Sequence, residues 1–249
     1  MHYRGKKKRG LLLLNSVCYV GTYLLELCGL MYAPSVIDGV LMATVPIWTE
    51  ILARVFLKEK ATLLQNVFLL LSAGAVVIMI LIGSTDSVRG FDIRGLFLLT
   101  GAFFLEALSS VIIRYLKEEY SAVEISFASC LISLAIASVV LGAQLGFHVV
   151  EMETVMAALG DWKFVAAVLF LGVFGTMVAG ILKGYILQHM SALRATVWYN
   201  AGTPAAVVAG VLFLKEPFYH YQIICTIFIL AGVIGVQVCK GHKPQQEER

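Results

Sequence analysis

The sequence predicts an all-α membrane protein with about eight transmembrane helices. Hydrophobic residues make up 59% of the chain, charged residues make up 14%, and the mean hydropathy is +0.86. A soluble protein carries about a quarter charged residues, so this chain has too few to cover a surface in water. Its apolar segments run without a break for about 20 residues, which is the length that an α-helix needs to cross a bilayer. They lack the apolar–polar alternation of a transmembrane β-barrel.

The predicted spans are separated by charged or turn-forming residues. They cover roughly residues 10–32, 36–57, 62–83, 94–116, 121–143, 163–187, 192–214 and 219–239. The first is too long for a cleavable signal peptide. The remaining segment, 144–162, predicts a short helix in the membrane interface. His148, Glu151 and Glu153 in this segment match no defined metal site, which favours a solvated loop.

An even number of spans places both termini on one side of the membrane. Lysine and arginine concentrate at 4–9 and 58–60, which lie on that side. The opposite side carries only a few basic residues: Arg89, Arg94, Lys163 and Lys215. The positive-inside rule then predicts a multi-pass protein of the cell (plasma) membrane with both termini in the cytoplasm.

One pattern of residues occurs twice along the chain. The first copy has a proline at 46, Phe-Leu-Lys-Glu at 56–59, a glutamine at 65 and Ser-Ala-Gly-Ala at 72–75. The second has a proline at 204, Phe-Leu-Lys-Glu at 213–216, a glutamine at 222 and Leu-Ala-Gly-Val at 230–233. Spans one to three therefore resemble spans six to eight, and two further spans lie between them. The repeating unit is five helices.

A unit with an odd number of helices, repeated in tandem, enters the membrane from opposite sides. The two copies are therefore predicted to be inverted, which is the architecture of alternating-access transporters with a solute site near the midplane. Lys58 and Lys215 end their helices, where the helix dipole favours a cation. Glu59 and Glu216 precede the next helices, where it favours an anion. We interpret Leu-Lys-Glu as a helix joint.

With the proline, Leu-Lys-Glu, glutamine and Ala-Gly all present twice, the chain resembles the EamA-type permeases of the drug/metabolite transporter superfamily from about residue 10 to 239. The resemblance implies ten helices in two inverted five-helix repeats and transport of small organic metabolites. Against that pattern, 94–239 forms a complete second half, whereas 10–83 forms an incomplete first half of three helices. The first helical hairpin is expected to be missing; a start upstream of Met1, a truncated protein and a partner chain are the alternatives.

Ionisable residues inside the spans are candidates for the transport site, because charge is costly within a bilayer. Glu50 precedes Arg54 by one helical turn, and we interpret these residues as an ion pair. Lys183 either snorkels to the interface or faces a cavity. Glu26 and Glu106 have no partner on their own helices. Both are therefore candidates for a buried site, and Glu106 is the candidate for proton coupling.

Polar and aromatic side chains flank the two prolines. Pro46 and Pro204 are predicted to lie mid-span and to loosen their helices near the midplane. The flanking residues are candidates for contact with an organic solute, with helix packing as the alternative: Trp48, Trp198, Tyr199 and Asn200. The Gly-x-x-x-Gly at 180–184 predicts close helix packing.

The sequence contains none of the motifs that indicate an enzyme, such as Gly-x-Ser-x-Gly, a Walker loop or His-Glu-x-x-His. No cofactor, metal or nucleic-acid partner is predicted. The predicted partners are the bilayer, a small solute, a proton or another coupling ion, and optionally a second copy of the chain. The sequence therefore favours a secondary transporter of small organic metabolites. The alternative is a non-transporting truncated or accessory membrane subunit.

Overall fold

The computed structural model describes residues 4–33, 35–59, 61–83, 92–147, 151–209, 212 and 220–239. Their regular elements are helices: α1 (Arg4–Leu30), α2 (Ser35–Met42), α3 (Val45–Phe56), α4 (Leu63–Gly83), α5 (Ile93–Tyr115), α6 (Ala122–Gly146), α7 (Met152–Gly160), α8 (Trp162–Phe170), α9 (Ala179–His189), α10 (Ala192–Thr196), α11 (Trp198–Ala209) and α12 (His220–Val238). A 3₁₀ turn, Leu116–Glu118, follows α5. A π-helical stretch, Leu171–Val178, joins α8 to α9.

Within these residues, five helical segments are long and apolar enough to cross a membrane. They match the first and the third to sixth predicted spans: Lys8–Leu30, Leu63–Ile82, Ile93–Glu118, Ala122–Gly146 and Trp162–His189. A shorter apolar helix, Ile223–Val238, matches the eighth. The predicted all-α membrane fold is confirmed.

The second and seventh predicted spans are each interrupted. Residues 43–44 form a turn between α2 and α3, and Val197 separates α10 from α11. Pro46 was expected within a continuous helix but instead occupies the first turn of α3, where its missing N–H breaks no helical hydrogen bond. Pro204 lies inside α11.

Several residues of the sequence analysis lie outside the described part of the chain. They include the second Phe-Leu-Lys-Glu with Lys215 and Glu216, and also Arg89 and His148. In the segment between the fifth and sixth spans, the predicted short helix is confirmed as α7.

The chain divides into two compact units. The first unit comprises residues 1–20 and 112–189, and the second comprises 21–111 and 190–249. The residues of α1 and of α5 are divided between them.

In the first unit, α6 packs against α9 and the π-helical stretch. A Cβ at Gly184 would lie 3.1 Å from Ala122 Cβ, and one at Gly180 would lie 3.5 Å from Ser126 Oγ. The close helix packing predicted for the Gly-x-x-x-Gly motif is confirmed. A capping box of Ser121 and Glu124 begins α6 and supplies partners for its first N–H groups.

Polar contacts join three helix ends at one end of the first unit. Lys8 near the start of α1 pairs with Glu119 after α5. Arg114 Nη1 donates to the carbonyl of Gln188 at 2.8 Å, and the Gln188 amide donates to the Tyr120 carbonyl at 2.9 Å. The end of α9 is thereby fixed beside the joint between α5 and α6.

In the second unit, the closest helix pair is α4 with α12. A Cβ at Gly232 would lie 2.6 Å from Ser72 Cβ and 2.7 Å from the Phe68 carbonyl oxygen, so only glycine allows this approach. Buried residues from α4 and α12 form one apolar cluster with Val197. A second apolar cluster joins α3 to α5 and includes Leu52, Phe103 and Ala107.

The first copy of the repeated motif joins distant helix ends in the second unit. Gln65 donates its amide to the carbonyls of Val236 and Cys239 at the end of α12, at 3.2 and 3.1 Å. Glu59 accepts the Ala192 N–H at the start of α10, at 3.0 Å. Glu59 was expected to stabilise the helix that follows it in sequence, and the structure adds this contact with the first N–H group of α10.

Candidate functional site

Three carboxylate side chains from three helices of the second unit come together within the membrane-spanning region. Glu26 lies on α1, Asp38 on α2 and Glu106 on α5. The charges of Asp38 and Glu106 both act on the Glu26 carboxylate. All three side chains are partly buried. We refer to Glu26, Asp38 and Glu106 as the acidic cluster.

A tyrosine from a fourth helix contacts the acidic cluster. The Tyr199 hydroxyl on α11 donates a hydrogen bond to Glu106 Oε1 at 3.0 Å. This partner of Glu106 comes from a residue distant in sequence. Two of the predicted site residues are thus in direct contact, and Glu26 lies beside them.

The sequence analysis missed Asp38. Its Oδ1 atom is buried and has no hydrogen-bond partner among the described residues. Asp38 lies near the start of the second predicted span, 36–57, and is ionisable, so the rule that singled out Glu26 and Glu106 also applies to it. A buried carboxylate oxygen without a protein partner has capacity for a proton, a cation or a donor group of a solute.

Aromatic side chains lie near the same helices. Trp48 on α3 meets Phe104 on α5 edge to face, with ring centroids 5.7 Å apart and planes at 86°. Trp48 and Tyr199 both pack against the apolar cluster of α3 and α5. Tyr199 therefore has an apolar ring against this cluster and a polar end on Glu106, a combination suited to an organic solute.

Asn200 is buried, with 1% of its surface exposed. Its amide nitrogen donates to Ser72 Oγ on α4 at 3.0 Å. Its amide oxygen has no partner within the described part of the chain, and neither has the hydroxyl of Thr49 on α3, which is fully buried. The second unit thus contains buried acceptors on several helices.

Comparison with known proteins identifies the family. The model of the EamA-like transporter family matches residues 2–81 and 93–238. The chain belongs to the EamA-like transporter family.

Curated relatives of this EamA-like transporter are bacterial and archaeal. The uncharacterized transporter YcxC of Bacillus subtilis (strain 168) is 24% identical over 84% of this chain and 67% of its own length. An uncharacterized transporter of Archaeoglobus fulgidus is 24% identical over 82% of this chain and 68% of its own length. The uncharacterized transporter YetK of Bacillus subtilis is 25% identical over 96% of this chain and 71% of its own length.

A solved structure, described only as the crystal structure of a protein, has a fold similar to that of this chain. Its TM-score is 0.75 with 15% sequence identity, and the match covers 91% of this chain and 75% of the other. The likeness supports the fold alone. With the family match, the predicted multi-pass membrane transporter is confirmed in general terms: it lies in a lipid bilayer and moves a small-molecule solute.

The other predicted site residues of this EamA-like transporter have their own surroundings. Trp198 precedes Tyr199 on α11, but its side chain is 49% exposed. Lys183 belongs to the first unit, where it lines a small cavity. The predicted ion pair of Glu50 with Arg54 is confirmed on α3, so Glu50 has a partner on its own helix.

Proposed function

We propose that this EamA-like transporter is a proton-coupled secondary carrier of small organic metabolites. The observation that carries the proposal is the acidic cluster with the Tyr199–Glu106 hydrogen bond. Three like charges in one membrane-embedded site repel one another, so taking up a proton or a cation there is favoured. Carboxylates in such positions are typical of proton pathways in transporters.

The solute is proposed to bind beside the acidic cluster. Tyr199 and Trp48 provide aromatic surface, and the buried acceptors on Asp38 and Asn200 can orient a polar solute that donates hydrogen bonds. Release of the proton from the acidic cluster would restore the repulsion among its carboxylates. Solute binding and proton binding are coupled if each changes the affinity for the other.

Alternating access is the proposed mechanism of movement. Residues 10–83 and 94–239 are proposed to be inverted halves that rock about the site. The paired glycines at 74 and 232 and the paired glutamines at 65 and 222 support this assignment. In the second unit, Gly232 packs closely against α4, and Gln65 donates to a carbonyl at the end of α12.

Reconstitution of the full chain into lipid vesicles tests the proposal. The vesicles enclose a pH-sensitive dye, and a panel of small organic metabolites is added outside. We expect a subset of the panel to change the internal pH in the presence of the protein but not in empty vesicles. Glu106→Gln should abolish the pH change. Glu151→Gln, which alters an exposed carboxylate before α7, is the matched control and should leave the signal intact.

Two outcomes would contradict parts of the proposal. Uptake of a labelled solute without any proton movement would contradict proton coupling but would still show that the protein is a carrier. If no solute of the panel is taken up and none raises the thermal stability of the protein, the carrier function is contradicted. The alternative of an accessory subunit is then favoured. Native mass spectrometry would then identify a partner chain, or a homodimer built from the 27.2 kDa chain.

The orientation is proposed from the distribution of charge. Both termini are placed in the cytoplasm of a cell membrane protein. A green fluorescent protein fused to the C-terminus should fluoresce, whereas an alkaline phosphatase fused there should be inactive. An active phosphatase fusion would reverse the orientation.

A further inference from the structure

The short helix α10 is held in place by polar side chains of other elements in the second unit. Glu59 Oε2, in the joint between α3 and α4, accepts the Ala192 N–H at 3.0 Å. Arg194 Nη2 donates to the Cys239 carbonyl at the end of α12 at 2.6 Å, and the Gln237 amide donates to the Arg194 carbonyl at 2.7 Å. We refer to Glu59, Arg194 and Gln237 as the α10 clamp.

The end of α12 that the clamp contacts is itself fixed to α4. Gln65 donates its amide to the carbonyls of Val236 and Cys239, so Gln65 and Arg194 share the Cys239 carbonyl as acceptor. Carbonyls at the end of a helix have no partner within the helix, and the helix dipole favours a cation beside them. Gly232 leaves no room for a side chain between α4 and α12. These two helices therefore form a fixed support against which α10 is held.

The contact between α10 and α3 covers the stretch from the clamp to the candidate site. The residues along this contact are buried: Leu52, Ala53, Leu193, Ala195 and Thr196. Ala192 belongs to the apolar cluster of α3 and α5, against which Trp48 and Tyr199 also pack. Tyr199 follows Ala192 by seven residues, which is about 10 Å along a helix. In this conformation, the site is therefore covered on the side of the clamp.

A break in the helix joins α10 to the site. Val197 forms a turn between α10 and α11, and Tyr199 in the first turn of α11 donates to Glu106. Broken helices line the solute path in transporters, because irregular backbone at membrane depth is tolerated beside a cavity. The hydrogen bonds of the clamp are individually modest in net strength, since water replaces them when they open. Movement of α10 at the break is therefore feasible.

We propose that the α10 clamp is a gate that closes one end of the solute pathway and opens during transport. Opening separates α10 from α3 and from the end of α12, whereas α4 and α12 stay together. The proposal rests on the proposed carrier function and deepens it, because it assigns named residues to the closed side of the site. In the proposed orientation the gate faces the cytoplasm, since α12 ends beside the C-terminus.

Reversible cross-linking in lipid vesicles tests the gate. In the full chain with Arg194→Cys, a flexible bis-methanethiosulfonate reagent joins the new cysteine to the native Cys239 and holds α10 against α12. Gln65→Cys is the matched control, because Gln65 contacts the same Cys239 from α4. Uptake of labelled solutes from the metabolite panel is measured before cross-linking, after it, and after reduction with dithiothreitol. Mass spectrometry of the digested protein verifies each cross-link.

Cross-linking should slow uptake by Arg194→Cys about tenfold or more, because a gate that cannot open limits the rate of the cycle. Dithiothreitol should restore the rate. Gln65→Cys and the wild type should keep their rates throughout. If Arg194→Cys does not fold, the double variant Glu59→Cys with Ser191→Cys keeps the arginine. Ser191 directly precedes Ala192 and is partly exposed, so the same reagent fixes α10 to the α3–α4 joint.

The outcomes separate the gate from the carrier function on which it rests. If the wild type takes up no solute of the panel, the carrier function is contradicted and the gate with it. If the wild type takes up a solute and the cross-linked gate variants do so at an unchanged rate, only the gate is overturned, since a purely structural contact tolerates being fixed. An equal loss of uptake in cross-linked Gln65→Cys would also overturn the gate, because α4 and α12 would then have to separate.

Discussion

The Tyr199 hydroxyl donates a hydrogen bond to Glu106 Oε1 at 3.0 Å, and so joins α11 to α5 within the second unit. An ionised carboxylate accepts this bond without a hydrogen of its own, whereas a protonated one carries a proton that it can donate. In the proposed carrier, this bond is a direct link between a side chain beside the solute and a side chain that holds a proton.

Tyr199→Phe should slow proton-coupled transport about tenfold or more, because it removes a hydrogen bond to a charged group while keeping the aromatic ring. The rate of solute-driven pH change in vesicles measures it. Tyr185→Phe, on an exposed ring of α9, is the control. In the presence of Glu106→Gln, the tyrosine substitution should have little additional effect, since the two residues act as a pair. If Tyr199→Phe slows transport equally in the wild-type protein and in the Glu106→Gln variant, the two residues do not act as a pair.

Asp38→Asn should reduce the solute-driven proton signal without lowering Tm. The substitution keeps the size of the side chain and removes one of three clustered negative charges, so the fold loses a repulsion rather than an ion pair. Proton flux in vesicles and thermal unfolding in detergent are both measured. A structural role for Asp38 predicts the opposite result, namely a lowered Tm with an unchanged rate for the remaining folded protein.

Much of this architecture could be predicted from the sequence, because bilayer thickness sets the length of each apolar run. The segment from Trp162 to His189 is continuous and apolar, and its limits follow from its flanking polar residues. The Glu50–Arg54 pair and the packing at Gly184 were also predictable, since both depend on helical spacing or on small residue size.

Contacts between distant residues were not predictable in the same way. Glu59 accepts the Ala192 N–H at the start of α10, and no local pattern specifies that partner. The turn at 43–44 contains Thr44, and Pro46 lies in the first turn of the next helix; within an apolar run of this length, the proline was interpreted as loosening a continuous helix. Asp38 could have been recognised as an ionisable residue in a span, but its proximity to Glu26 depends on the packing of α2 in the second unit.

Glu59→Ala should lower the stability of the protein by about 1 kcal/mol, because the Ala192 N–H loses its acceptor at the start of α10. Glu59→Gln keeps an acceptor oxygen and should lose less. The measurement is Tm in detergent, with Glu118→Ala, which alters an exposed carboxylate, as the control. If Glu59→Ala and Glu118→Ala unfold at the same temperature, the contact between the α3–α4 joint and α10 contributes nothing to stability.

Gly232→Ala and Gly74→Ala should have opposite effects, although these glycines occupy equivalent positions in the two copies of the repeat. A Cβ at Gly232 would lie 2.6 Å from Ser72 Cβ, against the backbone of α4. The substitution should therefore force α12 away and destabilise the protein by about 1–3 kcal/mol. A Cβ at Gly74 meets nothing within 4 Å, so alanine there should add up to about 1 kcal/mol through its better helix propensity. Thermal unfolding of the two variants decides the matter; equal Tm changes would mean that α4 and α12 do not approach this closely in the membrane.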